Sequence, residues 1–203
     1  MSVSLRCYST SLGCPKNRVD TERLLGSLGV ALVPVESPDE AELVFINTCA
    51  FIQPATEESV RTIAQAIADI EELPKRPLLA VAGCLVGRYH AEDLAPELPE
   101  VDLWLDNSDL EAWPAMLARK LGLPEPTVPG RILSTGPSYA WLKISDGCRH
   151  ACSFCAIPNI RGGHRSHCKD MIVREARALL DQGVKELNLV AQDLTEWGCD
   201  LDG

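Results

Sequence analysis

Short apolar runs alternate with amphipathic stretches from the start of the chain to Leu121. Residues 3–9, 31–35, 42–47, 78–82 and 101–105 have the length and β-branched content of strands. Residues 20–28, 55–72 and 109–121 repeat their apolar positions at helical spacing. The middle helix is the clearest, with Val60, Ile63, Ala64, Ile67 and Ile70 on one face and charges on the other. Strand–helix alternation of this kind predicts a parallel sheet covered by helices. Between Leu121 and Pro137 the pattern stops at Pro124, Pro126, Pro129, Gly130, Gly136 and Pro137, a density of breakers that marks a linker. A strand over 139–145, a helix over 171–181 with Asp170 as N-cap and Gly183 near its stop, and a strand over 185–191 then form one β-α-β unit. The expected organisation is α/β throughout: residues 1–122 as an N-terminal parallel α/β sandwich domain, 123–137 as linker, and 138–203 as a second, incomplete domain.

Charge sharpens that division. The net charge of −10 falls entirely on residues 1–130, which hold 10 Lys+Arg against 20 Asp+Glu, while residues 131–203 balance at 9 against 9. An acidic first part repels phosphates, so it is not expected to bind nucleic acid directly. No apolar run is long enough to span a bilayer, and the start, Met-Ser-Val-Ser-Leu-Arg-Cys, lacks the pattern of a signal peptide. A cytoplasmic chain without membrane contact is expected. Nine cysteines are many for such a chain. In a reducing compartment they point to metal binding or chemistry more than to disulfides.

Six of the nine fall into two constellations. Cys14, Cys49 and Cys84 each follow a predicted strand and precede a helix. In a parallel sheet such loops emerge on one edge, where ligands bind, so three thiols distant in sequence can converge. Gly13 and Gly83, directly before two of them, allow close backbone approach, and helix N-termini at that edge favour anionic sulfur. Three thiolates can hold an iron–sulfur cluster with one iron left without a protein ligand. Zinc with a fourth ligand is the alternative, although no histidine in this half sits at an equivalent strand end and His90 falls within a predicted helix. The second constellation is one loop, Asp-Gly-Cys-Arg-His-Ala-Cys-Ser-Phe-Cys, in which Cys148, Cys152 and Cys155 are spaced Cys-x3-Cys-x2-Cys. One loop can wrap three corners of a cubane and leave the fourth open, as a reactive site requires. A zinc knuckle completed by His150 or His164 competes with that assignment.

The Cys-x3-Cys-x2-Cys loop after a strand resembles the radical S-adenosylmethionine superfamily. Two three-cysteine sites in this order resemble its methylthiotransferases. The stretch Leu-Gly-Cys-Pro-Lys-Asn-Arg-Val-Asp-Thr-Glu at 12–22 is similar to the branch that modifies a ribosomal protein, whereas tRNA-modifying relatives more often read Gly-Cys-Gln-x-Asn there. Residues 46–52, 83–85, 143–155, 157–162 and 191–193 fit the same pattern. His167 and Cys168 depart from it, standing where the family usually has Arg-Pro. The resemblance implies that residues 138–203 begin a partial β/α barrel of the radical type, which the family continues, with a small β domain, beyond the length of this chain.

The resemblance further implies two 4Fe-4S clusters, one held by Cys14, Cys49 and Cys84 and one by Cys148, Cys152 and Cys155. S-adenosyl-L-methionine would bind the open iron of the second, with Phe154 packed near its adenine. Gln192 and Asp193, at the end of the second barrel strand, would contact it too, loop hydrogen bonding being their other assignment. The implied reaction places a methylthio group on the β-carbon of an aspartate in a small-subunit ribosomal protein. That C–H bond has no acidic proton, so a cofactor must supply a radical, with a protein electron donor as partner. A tRNA-adenosine methylthiotransferase and a cluster-binding fragment without turnover are the competing expectations. Arg161 and Arg165 either meet a carboxylate of cofactor or substrate or are solvated surface charge. Cys7, Cys168 and Cys199 are expected to be structural or incidental.

Overall fold

The structure, a computed structural model, describes residues 4–201; Val3, expected in the first strand, lies outside them. The chain divides into two compact units, one ending at Ile132 and the other starting at Leu133. The first contains β1 (Ser4–Ser11), α1 (Pro15–Ser27), β2 (Ala31–Pro34), β3 (Leu43–Thr48), α2 (Gln53–Ile70), β4 (Leu78–Gly83), α3 (Cys84–Tyr89), α4 (Ala91–Leu94), β5 (Leu103–Asp106) and α5 (Trp113–Leu121). Its five strands form one sheet in the order β2-β1-β3-β4-β5, every neighbouring pair parallel. This is the α/β architecture that the alternating pattern predicts.

Apolar burial explains the order. β3 lies at the centre with all six residues buried, as parallel strands covered on both faces require. Leu43 and Phe45 of β3 join Leu5, Cys7, Ala80, Ala82 and Leu105 on one face, where Leu24, Leu25 and Leu28 of the α1 segment and Trp113 and Leu117 of α5 cover them. Val44, Ile46, Leu79 and Val81 alternate to the other face and are equally buried. α2 packs against β3. Its buried stripe is Thr56, Ser59, Ile63, Ala66 and Ile70, not the expected Val60–Ile63–Ala64–Ile67–Ile70 face, and Val60 is exposed. The hydroxyl of Ser59 is committed to the backbone of Cys49, which turns the helix so that the polar Ser59 is buried.

Two further boundaries differ from expectation. α1 begins at Pro15, five residues before the predicted start, because Pro at the first helical position suits the fixed φ there. His90 is not inside a helix: at φ +59 it separates α3 from α4. The breaker-rich segment packs onto α1. Gly130 approaches Gly26 so closely that a Cβ on Gly130 would stand 2.2 Å from the Gly26 carbonyl oxygen. Arg131 then reaches Glu22 through Nε at 2.9 Å and Nη2 at 2.7 Å, both on Oε2, with both side chains buried.

The second unit holds β6 (Tyr139–Lys143), β7 (Ser145–Asp146), α6 (Ile157–Arg161), β8 (Arg165–Ser166), α7 (Lys169–Asp181) and β9 (Glu186–Val190). β6 and β9 pair in parallel with α7 between them in sequence, and Ala140, Leu142, Ile144, Leu179 and Val184 form the core. β7 pairs antiparallel with β8. Cys168, not Asp170, occupies the N-cap of α7. Among the described residues no helix is long and apolar enough to cross a membrane.

The buried pair yields the first prediction. Glu22→Ala removes the carboxylate that the enclosed Arg131 guanidinium meets, and the first unit is expected to lose about 3–5 kcal/mol of stability. The midpoint of urea unfolding checks this, and an unmoved midpoint refutes it.

Candidate metal centres

The first trio stands where neighbouring strands end. β1, β3 and β4 are adjacent, and their registers pair Ser11 with Asn47 and Thr48 with Gly83. The chain therefore leaves all three strands from one sheet edge. Cys14 is the N-cap of α1, Cys49 follows β3, and Cys84 is the first residue of α3. Cys49 and Cys84 are 8% and 5% exposed, whereas Cys14 is half-buried.

Side-chain amides and hydroxyls hold these loops. The Nδ2 of fully buried Asn17 donates to the carbonyl oxygens of Leu12 at 2.9 Å and Thr48 at 2.8 Å, the backbone leading into Cys14 and Cys49. Its Oδ1 lies 3.9 Å from Cys84 Sγ, so one residue touches all three cysteine segments. Asn47 Nδ2 returns a bond to the Asn17 carbonyl at 2.9 Å. Thr48 Oγ1 donates to the Ala82 carbonyl at 2.6 Å and accepts from the Leu85 amide at 3.1 Å. Ser59 Oγ closes a ring with the Cys49 carbonyl at 2.7 Å and amide at 3.0 Å. Asn107 Nδ2 donates to Cys84 Sγ at 3.7 Å. None of these polar residues was singled out from the sequence. Asn17 and Asn47 lie within the motif stretches, but Asn107 follows β5 with no local signal.

Glycine fits two of the turns for a steric reason. Gly13 has φ +80, and a Cβ there would stand 2.6 Å from Cys49 Sγ. That distance places the Cys49 sulfur beside the residue preceding Cys14. Gly83 has φ +99, and a Cβ would stand 2.2 Å from Asn47 Oδ1.

The second trio lies on the loop after β7. Gly147, at φ +68, admits no Cβ because the Gly163 carbonyl oxygen would be 2.0 Å away. The Cys148 amide donates to the Gly162 carbonyl at 3.2 Å and the Cys155 amide to the Cys152 carbonyl at 3.0 Å. Beneath the loop, buried Asp146 pairs with buried Lys143 and Arg161, the latter at 2.9 Å. Burial pushes the Asp146 carboxyl up, but Lys143 and Arg161 outweigh it and hold it at about 2. Arg161 is thus neither solvated nor open to a ligand; its guanidinium anchors the base of the loop. Arg165 is exposed.

Asp193, following β9, reaches the cysteine loop through His150, Nε2 to Oδ2 at 2.9 Å. The Thr195 hydroxyl foremost, with the Thr195 amide and His150, holds its carboxyl below the usual range. Both amide atoms of Gln192 are enclosed and have no hydrogen-bond partner among the described residues. Phe154 is 88% exposed. Among the described residues, two groups of three potential ligands gather their ligand atoms within 4.8 Å, His150 with Asp193 and Glu196, and His164 with Cys199 and Asp200; neither contains a cysteine of the two trios. Cys7 lies in the core, and burial pushes its thiol up to about 12, as suits a structural residue.

Three cysteines at one sheet edge of an α/β domain, followed by a three-cysteine loop, is the order that the resemblance to the methylthiotransferases implies. Residues 6–106 match the family described as Uncharacterized protein family UPF0004. Over 194 residues the chain is 70% identical to the ribosomal protein uS12 methylthiotransferase RimO of Nitratidesulfovibrio vulgaris, covering 96% of this chain and 45% of that protein. Identity is 63% to the protein of that name from Oleidesulfovibrio alaskensis, at the same coverage. It is 59% over 201 residues to that of Lawsonia intracellularis, covering 98% of this chain and 46% of the relative. The chain is thus similar to an N-terminal portion of these RimO proteins and spans about half the length of the curated relatives it matches.

A second prediction follows from the crowding at Gly13. Gly13→Ala combines a left-handed φ with a clash against Cys49 and is expected to cost about 1–3 kcal/mol. Thermal unfolding of the metal-free chain measures it; wild-type stability would refute the packing described.

Proposed function

We propose that this chain is the two-cluster portion of a methylthiotransferase acting on the β-carbon of an aspartate in a small-subunit ribosomal protein, by radical chemistry from S-adenosylmethionine. The observation that carries the reading is the exit of Cys14, Cys49 and Cys84 from three adjacent parallel strands at one edge. The relatives' name, a methylthiotransferase of ribosomal protein uS12, supplies the substrate class.

The residues fit the groups implied. At the first site the donors are three thiols, Gly13 and Gly83 leave no side chain in the way, and the side-chain amide of buried Asn107 donates to Cys84 Sγ. At the second, three thiols share one loop, and the enclosed amide of Gln192 lacks a partner among the described residues, an unpaired state that a bound ligand would relieve. Cys14, Cys49 and Cys84 would hold one 4Fe-4S cluster and Cys148, Cys152 and Cys155 the other. Phe154, Gln192 and Asp193 would contact S-adenosylmethionine. When bound, the clusters and S-adenosylmethionine supply the one-electron chemistry that an unactivated C–H bond demands.

The chain's own residues position and shield. Asn17 and Ser59 fix the loops of the first trio, and the Lys143–Asp146–Arg161 cluster fixes the strand from which the second loop departs. The Asp193–His150 bond ties the loop after β9 to the cysteine loop. Residues 1–122 would serve as the cluster domain, 123–137 as linker and 138–203 as the start of the barrel. The partners would be a ribosomal protein and an electron donor protein in the cytoplasm. A second reading is a cluster-binding portion without turnover of its own.

Anaerobic reconstitution followed by iron and sulfide analysis tests the assignment. About eight irons per chain are expected, falling to about four when either cysteine trio is replaced by alanine. Stoichiometric zinc without sulfide would overturn it. Release of 5′-deoxyadenosine with reductant separates turnover from binding alone.

A further inference from the structure

We propose that Asn107 is a positioning residue that sets the reduction potential of the group held by Cys14, Cys49 and Cys84, through its amide bond to Cys84 Sγ; this rests on the cluster reading above. Asn107 opens a short 3-10 turn directly after β5, the strand beside β4, and is 1% exposed. The turn is pinned on both sides. Asp106 Oδ1 accepts from the Ser108 amide at 2.7 Å, and Trp113 Nε1 donates to the Asp106 carbonyl at 2.7 Å. The side-chain amide is therefore held in place with Nδ2 3.7 Å from the sulfur.

The bond is costly as a mere structural device. Asn107 Oδ1 is enclosed and has no partner among the described residues, and a buried unpaired acceptor costs about 1–3 kcal/mol. An apolar side chain would fill the position without that cost. What the amide supplies instead is an N–H aimed at a ligand sulfur. The other amide at this sulfur cannot supply one. Asn17 Nδ2 is committed to Leu12 and Thr48, which leaves its oxygen facing Cys84 at 3.9 Å. A thiolate accepts hydrogen bonds and gains nothing from a facing oxygen. Asn107 is thus the donor suited to the anionic form.

Hydrogen bonds to the ligand sulfurs tune cluster potentials, and residues behind the ligands are a recognised lever. Each N–H draws charge from sulfur and favours the more negative, reduced state. Its removal lowers the potential without removing a ligand.

The test uses the full chain with Cys148, Cys152 and Cys155 replaced by alanine, so that one cluster is titrated. Redox titration followed by electron paramagnetic resonance compares Asn107 with Asn107→Leu and Asn107→Asp. Asn107→Leu is expected to retain the parent's iron and sulfide while its reduction equilibrium falls about tenfold, about 59 mV for one electron. Asn107→Asp is nearly isosteric and sets a carboxylate against the sulfur, so it shifts the potential in the same direction and further. A loaded variant of either kind with an unmoved or raised potential overturns the proposal while the cluster reading stands. A parent without iron and sulfide overturns both.

Discussion

The parallel register of β1, β3 and β4 is the constraint on which the first candidate centre depends. Parallel strands end on the same side, and adjacency places those ends one strand spacing apart. Cys14, Cys49 and Cys84 are separated by 35 residues at each step, so only the sheet can bring their segments to one edge. The burial that places β3 at the centre is therefore also what assembles the cysteine-bearing loops. Asn17 then converts proximity into fixed geometry, because one amide spans the carbonyls of two loops and faces the third cysteine.

The second unit uses charge where the first uses amides. A buried carboxylate between a lysine and an arginine is stable only while all three remain together, since an enclosed charge left alone costs more than the pair returns. Asp146 thereby locks β7 to α6 at the two ends of the loop that carries Cys148, Cys152 and Cys155. Gly147 lets the backbone pass against Gly162 and Gly163 at the same point. The loop itself is exposed at Cys152 and Phe154, but its stem is held by the buried Asp146 ion pairs.

Much of the fold was legible because it rests on periodicity. All five strands of the first sheet and the β-α-β core of the second unit follow from apolar runs and helical spacing. What sequence could not show was local. Pro15 drew the start of α1 forward, and the positive φ of His90 split a helix expected to run through it. The buried face of α2 turned on Ser59, whose partner is the backbone of Cys49 and not a feature of its own helix. Arg161 could be ligand-facing or solvated in a linear reading; only the fold reveals Asp146 beside it. Spacing and strand position singled out the six cysteines, and the structure brings the segments of the first three to one sheet edge. The asparagines around them were not singled out, since Asn107 meets Cys84 only through the neighbouring strand.

The uneven burial of the first three cysteines has a chemical consequence. Cys49 and Cys84 are sealed beneath the loops, while Cys14 stands at the rim, at the start of its helix. When the trio is bare, oxidants and alkylating agents in solution meet the rim sulfur first, since damage to thiols follows exposure. Corrosion of the bare trio thus starts from one corner, at Cys14.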